Sequence, residues 1–212
     1  MKNILLVIGF LAVVSVGVYF ITTALDGDDR SQNQESFFLS QWMLSADNHL
    51  TLAKNALDRE AGSSEARQIE KAILAIKLVQ TKTDSETASL LEEAVNKLMD
   101  VQKELEQEEM NIRSFEVAAA KALNSLALVH LKYSEQQASI GKEEQATQSI
   151  RVAITHLQNT IDLTTNAAQK KAEMAVIREL KTLLDSLVEN GHMDNTTYTL
   201  SANDLVELIN QE

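Results

Sequence analysis

The chain has no cysteine and no proline. Without cysteine there is no disulfide, no thiolate metal site and no thiol nucleophile. Average proline usage near 5% would place about ten in a chain of this length, and their absence leaves long helices uninterrupted. Glycine is scarce, at six residues, and none of them builds a phosphate-cradling loop. Aromatic residues make up 4% of the 212 positions. Basic residues are outnumbered by acidic ones, 19 to 31, for a formal net charge of −12. Such a surface repels phosphate, which excludes nucleic acid as a partner and disfavours anionic headgroups. What is abundant is Ala, Leu, Glu, Lys and Gln, the strong helix formers.

Long apolar runs are also missing, except at the amino terminus. From Ile4 to Leu25 no side chain is charged. Those 22 residues, rising about 1.5 Å each, reach about 33 Å against a hydrocarbon core of roughly 30 Å. Ser15, Thr22 and Thr23 can bond to carbonyls of their own helix, so the polar groups are tolerable in lipid. We expect residues 1–25 to form one transmembrane helix or signal anchor, entering the membrane through residues 4–25. The alternative is a cleavable signal peptide with Lys2 as its positive region and Thr22-Thr23-Ala24 as its cleavage site, although the apolar run to Ile21 exceeds the usual signal core. Both readings export the remainder. Lys2 on one side and Asp26, Asp28 and Asp29 on the other put the short amino terminus in the cytoplasm and the bulk outside it, periplasmic or at the cell surface. Residues 26–212 carry a formal charge of −13, since Lys2 is the one charge that residues 1–25 hold.

Beyond the leader, apolar residues recur at intervals of three and four, the seam of helices packed on helices. Residues 26–33 read as a tether and residues 34–190 as a helical bundle. The first seam is Leu39, Met43, Ala46, Leu50, Ala53 and Leu57. A second runs through Ile69, Ala72, Ile73, Ile76 and Val79, with Thr83 and Glu86 at capping-box spacing after it. Leu91, Ala94, Leu98, Val101 and Leu105 mark a third helix; average helix length favours a break near Asn111, with one continuous helix as the alternative. The fourth, about Ile112 to Ser139, carries Phe115, Ala119, Ala122, Leu126, His130 and Tyr133. A turn at Gly141 leads to a fifth with Ala146, Ile150, Ala153, Leu157 and Ile161. A sixth follows the helix-weakening stretch Asp162 to Ala167, with Ala172, Val176, Leu180, Leu183 and Leu187. Residues 191–212 read as an extended loop and a short helix, Ala202 to Asn210, opened by Ser201 and Asp204.

The fold class is therefore all-α, an antiparallel bundle of about five to seven helices behind one N-terminal transmembrane helix. A shift of 81 residues aligns His49-Leu50 with His130-Leu131 and Ala72-Ile73 with Ala153-Ile154, which would make two three-helix units, but Gly62 and Gly141 miss register. Ala146, Ile150 and Ala153 resemble the second helix of a tetratricopeptide repeat. The likeness covers that helix alone, since Tyr133, Ser134 and Gln137 depart from the first-helix pattern, and no family is assigned.

Chemistry is sparse among four histidines. Glu189 and His192 form the one Glu-x-x-His, with Gly191 between them at a helix end, where a di-iron bundle would need that motif twice. His130 sits on a seam, and across the Gly141 turn it is expected to face about Val152, with His156 one turn away. The two are the weak metal candidates; a histidine bonded to a neighbour is the commoner use of such a position. No catalytic residue, cofactor or enzyme activity is expected. Phe37, Phe38, Trp42 and Met43 cluster beyond the tether and are the candidate interaction residues, against ordinary core. The expected role is a membrane-anchored extracytoplasmic scaffold or accessory subunit at the cell envelope, contacting one or more proteins or a second copy of itself. The alternatives are an exported ligand- or metal-binding bundle and a sensory input domain.

Overall fold

A computed structural model describes residues 29–59, 64–108 and 110–211, with side chains from Leu39 onward. The expected membrane span at residues 4–25 lies outside the described residues, among which no helix is long and apolar enough to cross a membrane. The described residues are all-helical. The helices are α1 Asp29–Leu57, α2 Ser64–Gln80, α3 Ser85–Glu106, α4 Ile112–Ser139, α5 Glu143–Leu163, α6 Ala167–Asn190 and α7 Asn195–Gln211. Gln41–Glu212 forms one compact unit.

Local signals account for most boundaries. Asp84 caps α3, its carboxylate accepting from Thr87 N and Thr87 Oγ1. That corrects the capping box expected at Thr83, whose hydroxyl turns back to the carbonyl of Gln80. The break near Asn111 is present, because the Asn111 side chain accepts from Arg113 N and so opens α4. Asn166 does the same for α6. Gly191 ends α6 in the left-handed region at φ +67°, and its N–H bonds to Leu187 O. Residues 29–33, expected in the tether, are helical. The stretch after His192, expected as an extended loop, differs more. Asp194 accepts from Thr196 N and Thr197 N, so α7 begins at Asn195 and runs through the threonines. Ser201 lies buried within that helix instead of capping it.

Polar contacts fix the antiparallel order. Gln80 reaches the carbonyl of Ala88 and Gln102 that of Ala66, which sets α2 against α3. Lys132 pairs with Asp84 and Lys121 with Glu93, which sets α3 against α4. α4 also packs on α5 and α7, α5 on α6, and α6 on α7. α4 is thus the central helix. Its residues are buried without interruption from Ala118 to Leu131, and its run of alanines lets neighbouring helices approach on every side. The core around it includes Leu128, Leu131, Ile150, Leu157, Leu180, Leu183, Leu205 and Ile209.

Candidate functional site

Polar side chains inside a helical bundle cost free energy unless they find partners, so the buried ones are where function is sought. A seam of them crosses this unit. Asp47 of α1 is 3% exposed, and its Oδ2 accepts from Asn159 Nδ2 at 2.8 Å and meets Nδ1 of His156 at 3.0 Å. An ionised carboxylate only accepts, so Nδ1 of His156 carries the hydrogen of that bond. One turn on, the Thr160 hydroxyl lies 3.3 Å from Asn124 Oδ1 of α4 and 3.1 Å from the carbonyl of His156. Asn124 Nδ2 faces Glu173 Oε1 of α6 at 3.4 Å, and Gln169 Nε2 donates to the same oxygen at 3.1 Å. Thr164 Oγ1 donates to Gln169 Oε1 at 2.9 Å, which ends the seam. The partners on each helix are three or four residues apart, the spacing that turns side chains to one face.

His130 joins the seam by stacking. Its ring lies 5.3 Å from that of His156, centroid to centroid, with 30° between planes. The turn geometry expected from Gly141 placed His156 one turn away, and the structure brings the two rings directly together. Neither nitrogen of His130 has a protein hydrogen-bond partner; nor has Nε2 of His156, Oδ1 of Asp47 or Oε2 of Glu173. Burial, reinforced by the His156 charge, holds the pKa of His130 well below 6.5. Burial acts the other way on Glu173, pushing its carboxyl up from 4.5 to about 7 against the opposing pull of Asn124, Gln169 and Lys170. Among the described residues no three His, Asp or Glu side chains are grouped to hold a metal ion.

The Glu173 shift has a measurable consequence. A carboxyl whose pKa is higher folded than unfolded adds stability that is complete below 4.5 and is lost as pH rises through about 7. Glu173→Gln keeps an acceptor for Asn124 and Gln169 but cannot ionise. It is expected to raise stability at pH 8 by at most about 3 kcal/mol, with the advantage fading towards pH 4.5. Thermal melts of both proteins across that range check the sign.

The surface carries two shallow hollows that share Arg113 and Val117. One, of about 350 Å³, is also lined by Lys97, Asp100 and Glu104; the other, of about 320 Å³, by Glu116, Thr165 and Gln169. Glu116 is committed to Thr165, accepting from its N at 3.2 Å and its Oγ1 at 2.8 Å. Thr164 and Gln169 of the seam also line the second hollow, and Gln169 bonds onward to Glu173.

Of the interaction residues expected near the tether, Met43 is buried in the core at 1% exposure, and Trp42 is half-buried. The side chains of Phe37 and Phe38 lie outside those described. His192 and Glu189 are both exposed, with His192 Nδ1 beside the carbonyl of Asn190. Sequence reasoning missed Asp47, Asn124, Thr160 and Glu173. Asn124 falls on the same side of α4 as Lys121, where the two read as a polar outer face, so no sequence signal marked it as buried. No family model matches the chain, and neither a curated protein nor a solved structure is found to be similar to it.

Proposed function

We propose that this protein is a membrane-anchored extracytoplasmic scaffold or accessory subunit at the cell envelope, which engages a protein partner through an outward helix face. The anchor in this reading is the uncharged run Ile4 to Leu25. The observation that supports the face is on α2, where Leu74 and Leu78 are 56% and 44% exposed. They stand one turn apart and so share a face. Single exposed leucines are ordinary; an adjacent pair on the outer face of a helix that already buries Ile69, Ile73 and Ile76 on its other side is what helix-face recognition uses.

A photo-crosslinker at residue 74 in native membranes, followed by mass spectrometry, tests the reading. A defined adduct that is lost with Leu78→Glu is expected, whereas the same probe at exposed Asp185 gives none. Because residue 78 is exposed, that substitution is expected to change folding stability by no more than about 0.5 kcal/mol. An adduct of twice the chain's mass identifies a second copy as the partner. Absence of any defined adduct, or release of the protein by an alkaline wash of the membranes, refutes the proposal.

A further inference from the structure

The stacked imidazoles have no part in that reading. His130 projects from α4 and His156 from α5, and both are enclosed, at 1% and 0% exposure. Of their four ring nitrogens, three lack a protein hydrogen-bond partner, and the fourth is held by Asp47 of α1 at 3.0 Å. The geometry points to an acid-sensitive latch: with His130 neutral the pair holds residues 41–57 of α1 on the bundle, and a proton added to His130 releases that segment.

Asp47 Oδ2 meets the His156 ring at Nδ1, and a proton on His130 sets its charge beside that ring, with the two centroids 5.3 Å apart. The closed site resists that proton, and burial and the His156 charge both lower the pKa of His130. A hydrated histidine accepts it near pH 6.5. The open form therefore binds more protons than the closed one. The closed form is favoured in full above about pH 6.5 and loses ground as pH falls below it.

Charged groups on the surrounding helices have other engagements. Asp84 and Glu86 of α3 hold Lys132, and Glu93 of α3 holds Lys121 of α4, which also donates to the Ile209 carbonyl of α7. Glu173 of α6 accepts from Asn124 and Gln169, while Asp204 of α7 acts on Glu179 of α6. On α1, His49 bonds to Gln68 of α2. Among the described groups, His156 is the charge that acts on His130. Separation is favoured at α1 because it opens Asp47 and His156 to water at once. Releasing α1 uncovers its own seam of Met43, Ala46, Leu50 and Ala53, whereas parting α4 from α5 would break the larger apolar core that holds Leu128, Leu131, Ile150 and Leu157.

The chain's one tryptophan, Trp42, lies on α1 and reports the release. On the full chain in detergent, its emission is expected to shift to the red as pH is lowered from about 7.5 to about 5, while far-UV circular dichroism keeps its helical signal. His130→Leu and His130→Gln are each expected to suppress the shift. Glu173→Gln, which removes a group titrating with the opposite sign, is expected to leave it in place. An unmoved Trp42, a shift that survives both His130 variants, or loss of helix in the same transition overturns the latch.

Discussion

Leu128→Glu is expected to unfold the bundle. Residue 128 is 0% exposed, in the core shared by α4, α5, α6 and α7. Deleting a leucine's packing there costs about 2–5 kcal/mol, and a carboxylate left without a counterion adds several kcal/mol more. Against a total stability of about 5–15 kcal/mol, that leaves little or no native protein. The control is Gln136→Glu on the same helix, where residue 136 is exposed; there a change within about 0.5 kcal/mol is expected. Urea titrations followed by circular dichroism measure both. A native-like Leu128→Glu variant contradicts the central placement of α4.

That substitution also marks where sequence reasoning stops. The seam read from periodicity in α4 is Phe115, Ala119, Ala122, Leu126, His130 and Tyr133; the first five are buried and Tyr133 is half-buried. At 3.6 residues per turn, residue 128 lies about 200° around the helix from Leu126, on what a one-sided stripe makes the outer face. Lys121 and Asn124 fall on that same outer side and reinforce the wrong impression. In the structure both are buried, Lys121 paired with Glu93 Oε2 at 2.8 Å and bonded to the Ile209 carbonyl at 3.1 Å. A helix surrounded on all sides has no polar face to find, and its polar residues mark partners that the sequence does not name.

Elsewhere the pattern served well, because α1, α2, α3, α5 and α6 each bury one side. Met43, Leu50, Ile76, Leu98, Ile150 and Leu180 were read as seam and are buried. The break near Asn111 was expected from average helix length alone, and the structure supplies the cap that sequence signals did not single out, the Asn111 side chain accepting from Arg113 N. α7 was shortened because the stretch after Gly191 has a strand-like flavour and reads as an extended loop, whereas Asp194 supplies the first-turn N–H groups with an acceptor and so opens a helix there. The polar seam escaped for a different reason. Asp47 meets its histidine across 109 positions of sequence, and spacing within one helix carries no information about such a pair.

Asp47 is accordingly the seam residue whose loss should cost most. Its Oδ2 serves two donors at once, His156 Nδ1 and Asn159 Nδ2, and joins α1 to α5. Asp47→Ala leaves both donors unpaired, one of them wholly buried, and each hydrogen bond to a charged group contributes about 1.5–3 kcal/mol. A loss of about 3–5 kcal/mol is expected, the range seen when one partner of a buried ionic pair is removed. Asp47→Asn keeps an oxygen acceptor and is expected to recover part of that loss. In a double-mutant cycle, Asp47→Ala made on a His156→Leu background should cost less by at least about 1 kcal/mol, because one of its two donors is already gone. Equal cost on both backgrounds means that the His156 contact contributes nothing to folding. The latch would then lack its hold on α1, so the urea cycle and the Trp42 titration bear on one and the same bond.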